Sequence, residues 1–151
     1  MITVKFDFNL NKINELLRAY PKEAHDAAER QLKKAALDLQ GKAQKIAPKD
    51  LADLRGSAYS HVSGKMIKAP SADSEPGSER FPVLVSADLE AIIGFTEPYA
   101  LIQHESLNFQ HTDGEAKYLE KPYLENKEKY IDSVGAAIKK ALEEAAKGGS
   151  A

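Results

Sequence analysis

From Ile13 to Ile46 the apolar residues recur every three or four positions, and few folds accommodate so long a stripe. Ile13, Leu16, Leu17, Tyr20, Ala24, Ala27, Ala28, Leu32, Ala35, Leu39, Ala43 and Ile46 share one face of a 3.6-residue helix. Pro21 interrupts the run. That predicts a short helix to about Tyr20, capped by Asn9 or Asn11, and a long one from about Pro21 to Ile46. At ~1.5 Å per residue the long helix reaches about 40 Å, enough to span a domain. Its alanines permit close packing on a sheet or a second helix. Asp26/Arg30 and Glu29/Lys33 stand at i,i+4 on its wet face. Lys33, Lys34, Lys42 and Lys45 are spread along the helix with Glu29 and Asp38 between them, the pattern of a solvated face rather than of a DNA-binding one.

The rest of the chain supplies strands and a second helix. Ile2, Val4, Phe6 and Phe8 alternate with polar residues, which predicts a half-buried strand. Ala47-Pro48 stops the long helix, and Asp50 to Gly56 reads as a turn region. Ser57 to Ala69 reads as a hairpin or bent strand that breaks at Ser63-Gly64. Pro70 to Ser78, rich in Pro, Gly and Ser, predicts a flexible loop of about residues 70–80. Phe81 to Ser86 and Leu89 to Phe95 follow as two further strands. Pro122 reads as the first residue of a last helix to about Lys147, with Gly148-Gly149 ending it and 148–151 left as a flexible tail. Strands flanked by helices predict an α+β fold: one domain over 1–147, with a small antiparallel sheet packed with a long N-terminal helix and a C-terminal helix.

Charge and composition exclude several classes. The 21 basic and 23 acidic residues nearly balance, which argues against a general nucleic-acid binder. The distribution is uneven, with 13 basic and 8 acidic residues in 1–70 against 8 and 15 in 71–151. Such asymmetry suits a contact between the basic half of one copy and the acidic half of the next, the kind that closes rings. The chain has no cysteine, hence no disulfide framework. Its alternating N-terminus lacks the apolar core of a signal peptide, and no apolar run approaches the ~20 residues of a membrane span. A soluble intracellular protein is the expectation.

The stretch from Glu97 to Leu124 is the densest in signals. Pro98 starts a short apolar helical turn (Tyr99, Ala100, Leu101, Ile102) that ends at His104 and Glu105. A loop with two apolar residues, Leu107 and Phe109, runs to the turn signal Asp113-Gly114. Residues of that kind in a loop either fold back on the core or meet a partner.

This stretch resembles the C-terminal signature of tailed-phage neck proteins, also called tail-completion, head–tail joining or minor capsid proteins. In that family a Tyr-Ala pair opens a short helix, a His-Glu or similar pair ends it, and a loop leads to a Lys-Tyr/Phe-Leu-x-x-Pro run. The matching positions are Tyr99, Ala100, His104, Glu105, Lys117, Tyr118, Leu119 and Pro122. A weaker likeness covers Ala47-Pro48 and Leu54-Arg55-Gly56-Ser57, where the family usually has Gly in place of Asp53. The resemblance implies a structural virion protein without catalysis or cofactor. It would assemble with itself as a ring, with six-fold symmetry the expectation, and join head-completion and tail proteins in the neck. It would form in the host bacterial cytoplasm and end in the virion neck. Partner or self-assembly contacts are then expected at Tyr99, His104, Glu105, Leu107, Phe109 and His111, and at Asp73, Glu75 and Glu79 of the flexible loop. No specific nucleic acid, membrane or small-molecule substrate is implied.

Catalytic readings fare less well on the residues. His104, Glu105, His111, Asp113 and Glu115 form the one cluster with metal-ligating side chains, but the spacing is wrong for two histidines on one helical face. A metal-dependent hydrolase built on His104, Glu105 and His111 is the enzyme alternative, against the simpler reading that His104 and Glu105 end the helix and bond the loop. Ser57, Ser60 and His61 lack a nucleophile elbow, and no Gly-rich phosphate loop exists. A nucleic-acid-binding module using the basic N-terminal half is the other alternative.

Overall fold

In a computed structural model of the 151-residue chain, the described residues are 2–7, 21–48, 52–70, 89–97, 99–107 and 114–148. They form, in order, β1 (Ile2–Asp7), α1 (Pro21–Ile46), α2 (Ala52–Gly56), β2 (Ala58–Val62), β3 (Lys65–Lys68), β4 (Glu90–Phe95), α3 (Ala100–Glu105) and α4 (Glu120–Gly148). The fold is α+β. Its strands make one antiparallel sheet of order β1-β4-β2-β3, packed with the long N-terminal and C-terminal helices.

The periodicity explains the layers. On β2 the even positions Ala58 and Val62, with Ala91, Ile93 and Phe95 of β4, meet Leu32, Ala35, Leu39 and Ala43 of α1 in one core. Ala24 and Ala28 of α1 pack instead on Val134, Ile138 and Leu142 of α4. The small residues let the two helices approach closely, and the pairing of early α1 with late α4 makes them antiparallel. A polar bridge holds the other end of that pair. Lys42 donates to Asp38 (2.7 Å) and to Asn126 (3.0 Å), and the Tyr130 hydroxyl donates to Asp38 (2.5 Å).

Two turns of backbone chemistry shape the sheet. Ser63 and Gly64 both have positive φ (50° and 77°), the pattern of the tight hairpin turn whose twist suits the β2–β3 ladder. Tyr59 lies opposite Gly94, and a Cβ on Gly94 would come within 2.7 Å of the Tyr59 ring. The absent side chain is the seat of that ring.

Three differences from expectation have physical reasons. The last helix begins at Glu120, ahead of Pro122, which occupies its third position. The first turn has no intrahelical carbonyl partner for its N–H groups, so proline is tolerated there as well as at the first position. Within the segment expected as a turn region lies the short helix α2, tied down by the buried Leu54. Glu29 pairs with Lys33 (3.4 Å), but Arg30 makes no ion pair among the described residues. The expected helix before Tyr20, residues 71–78 of the expected loop and the strand 81–86 lie outside the described residues. No helix among the described residues is long and apolar enough to cross a membrane.

Candidate functional site

Two stretches far apart in sequence, 47–57 and 97–124, meet where α1 ends. The last carbonyls of a helix lack intrahelical partners. Here Arg55 of α2 donates from Nη2 to the Lys45 carbonyl (3.1 Å) and from Nε to that of Ala47 (2.7 Å). Gln44 Nε2 returns a bond to the Arg55 carbonyl (2.9 Å). A cation placed there also meets the negative end of the helix dipole. The Ile46 carbonyl is taken by the backbone N–H of Glu115 (2.9 Å), from a distant part of the chain. That contact brings Gly114 (φ +101°) directly over Ala47 and Pro48.

A second knot ties α3 to the start of α4. Tyr118 is fully buried; its hydroxyl donates to the Ala100 carbonyl (2.6 Å). Its ring stands edge-on to both Phe95 and His104, each at 5.0 Å. The Lys117 backbone takes positive φ (57°) and donates its N–H to the His104 carbonyl (2.8 Å). His104 Nε2 accepts the backbone N–H of Glu120 (3.1 Å), one of the orphan donors at the start of α4. The neutral ring therefore carries its proton on Nδ1, which donates to Glu105 Oε1 (2.8 Å). Lys117 completes the arrangement with ion pairs to Glu105 and to Glu120, the latter at 3.1 Å.

The electrostatics follow from these contacts. The Lys117 ammonium, and after it the His104 ring, hold the Glu105 carboxyl below its ordinary range. Glu105 and then Glu120 push Lys117 up. Burial pushes His104 down from 6.5, with Glu105 opposing. Burial also lowers His61, whose two ring nitrogens have no hydrogen-bond partner among the described residues. A histidine with a lowered folded pKa binds fewer protons folded than unfolded, so stability is full above about pH 6.5 and falls as pH drops towards the folded value. The midpoint of denaturant unfolding is accordingly expected to hold at neutral pH and to fall between about pH 6.5 and 5, before most carboxylates titrate. His104→Asn should make that fall shallower; an unchanged slope would remove His104 from the account.

What this arrangement can do chemically is narrow. His104, Glu105 and Glu120 offer ligand atoms within 4.8 Å of one another. The Lys117 ammonium already bridges the two carboxylates, and the one lone pair of His104 is engaged by Glu120. A divalent ion would have to displace a lysine and uncap α4. Ser57 donates to the Leu54 carbonyl (2.8 Å) and Ser60 to Gln40, while His61 projects from the opposite face of β2 to Ser60. They form no nucleophile–base pair.

Among the expected contact residues, Glu105 is exposed and Leu107 is 75% exposed, while Tyr99 is half-buried against the core. His104 requires correction. It is 2% exposed with both ring nitrogens engaged, so it organises the site from within and cannot itself touch a partner. Phe109, His111, Asp73, Glu75 and Glu79 lie outside the described residues. Ile102, 57% exposed, was not singled out from the sequence because it reads there as part of the short helix's apolar run. Leu124, 53% exposed, lines a shallow cleft with Glu105, Lys117 and Glu120. No protein-family model, curated protein or solved structure matches the chain.

Proposed function

We propose that the protein is a structural component of a phage or prophage neck, forming a ring that joins head to tail and acting by docking rather than catalysis. One observation carries the reading: the residues that resemble the neck-protein signature form a clip of two knots, one at the end of α1 and one joining α3 to the start of α4. Tyr118, His104, Lys117 and Arg55 spend their polar groups on backbone and on Glu105 and Glu120. Chemistry of that kind fixes a shape. The clip holds Ile102 and Leu107 outward, and exposed apolar side chains on a rigid support suit a protein partner. Assembly would take place in the host bacterial cytoplasm, with head-completion and tail proteins as neighbours.

Antibody-gold electron microscopy of particles from the source phage or induced prophage tests this. Label at the head–tail junction is the expected result; label on the capsid shell, or on no particle at all, overturns it. Leu107→Asp should change stability by less than about 0.5 kcal/mol, since the side chain is mostly in water, yet remove the label from the junction. Loss of fold in that variant would assign Leu107 to structure instead.

A further inference from the structure

A second surface lies away from the clip. Along the α1–α4 pair runs a groove floored by Ala27, Ala137 and Ala141 and rimmed by Arg30, Lys34 and Lys140, with Glu144 the single carboxylate at its edge. None of the three cations makes an ion pair among the described residues. Two of them, Arg30 and Lys34, stand one helical turn apart.

Another part of α4 presents the complement. Leu124 and Ile131 are about half exposed (53% and 48%). Glu128 lies between them in sequence with Asp132 just beyond; both are exposed and neither makes an ion pair among the described residues. Glu128 and Asp132 are again one turn apart, so two anions match the spacing of two cations. At about 100° per residue, Leu124 and Ile131 point roughly 160° away from the α4 residues that line the groove. The apolar pair is therefore on the flank of the helix opposite the groove, with Glu128 about 150° and Asp132 about 110° from it. Engaging one leaves the other free.

We propose that the groove receives the Leu124–Ile131 flank of a second copy of this chain. Arg30 and Lys34 then pair with that copy's Glu128 and Asp132, and its Leu124 and Ile131 settle on the alanine floor. A contact between two different surfaces of identical chains propagates head to tail, closing into a ring if the rotation closes and growing as a filament if it does not. It supplies the subunit contact of the ring proposed above and rests on the self-assembly part of that reading alone.

Sedimentation velocity of the full chain over a range of concentration at low salt reads this directly. The wild type is expected to form species larger than a dimer that shrink as salt screens the pairs. Arg30→Glu with Lys34→Glu, and separately Glu128→Lys with Asp132→Lys, should each leave a folded monomer by circular dichroism. An equimolar mixture of the two should assemble again, because each surface finds its opposite charge on the other variant. If a charge-reversed chain does not fold, Ile131→Asp probes the same flank and should be monomeric. A wild type that stays monomeric, reversed chains that assemble like the wild type, or a mixture that fails to assemble would each overturn the contact. Wild-type monomers that bind duplex DNA through Arg30 and Lys34 would overturn it in favour of nucleic acid. Junction label with a monomeric chain leaves the neck reading standing and removes this contact; assembly without label does the reverse.

Discussion

Gly114→Ala is expected to destabilise the protein by on the order of 3–5 kcal/mol, enough to leave much of a marginally stable chain unfolded. Two costs combine. At φ +101° an L side chain is strained in itself. The new Cβ would also lie 2.6 Å from Pro48 Cα and 2.7 Å from the Ala47 carbonyl carbon and oxygen, all of them main-chain atoms. A flexible side chain could swing aside; a backbone cannot. Relief would mean lifting residues 114–115 off α1, which also frees the Ile46 carbonyl. Thermal unfolding of the variant measures the effect. A melting temperature within a degree or two of wild type would show that the approach is looser than described.

Tyr118→Ala should cost about 3–5 kcal/mol, the ordinary range for emptying a buried aromatic site. The ring is the shared neighbour of Phe95 on the sheet and His104 on α3, and its hydroxyl fastens the first turn of α3. Tyr118→Phe separates the contributions. It keeps both edge-on contacts and leaves the buried Ala100 carbonyl without this donor, for about 1–2 kcal/mol. Hydrogen exchange should also quicken over residues 99–107 in Tyr118→Phe while α1 stays protected. Equal quickening throughout would mean that the hydroxyl contributes to global stability alone.

Local patterns were legible where they were continuous. The stripe from Ala24 to Ile46 placed α1 at Pro21–Ile46, and Ser63-Gly64 marked the hairpin turn. What failed to show in the sequence depends on distant chain. His104 beside Glu105 looks like any polar end of a short helix. It becomes buried because Tyr118 and the start of α4 close over it. Gln40 sits on the apolar face of α1 as an ordinary polar interruption, yet it is buried and accepts the Ser60 hydroxyl across the sheet interface. Lys34 was visible as one of several scattered lysines. Its alignment with Arg30 and with Lys140 needed α4 laid beside α1. Phase on a single element is a local property; the partner of a polar group is not.

The strand order bears on how the chain reaches this state during synthesis. β4 pairs with both β1 and β2, and Asp7 waits for Glu90 as its ladder partner. Among the described strands, the β2–β3 hairpin is the one sheet pairing available before residue 90 leaves the ribosome, and β1 waits for β4. Contacts so far apart in sequence close slowly, because the loop entropy must be met before any ladder bond forms. Folding is thus gated by a strand in the second half of the chain. α4, which completes the basic groove and carries the apolar flank, is made later still. In the assembly proposed above, a nascent chain would lack both contact surfaces until α4 has been made.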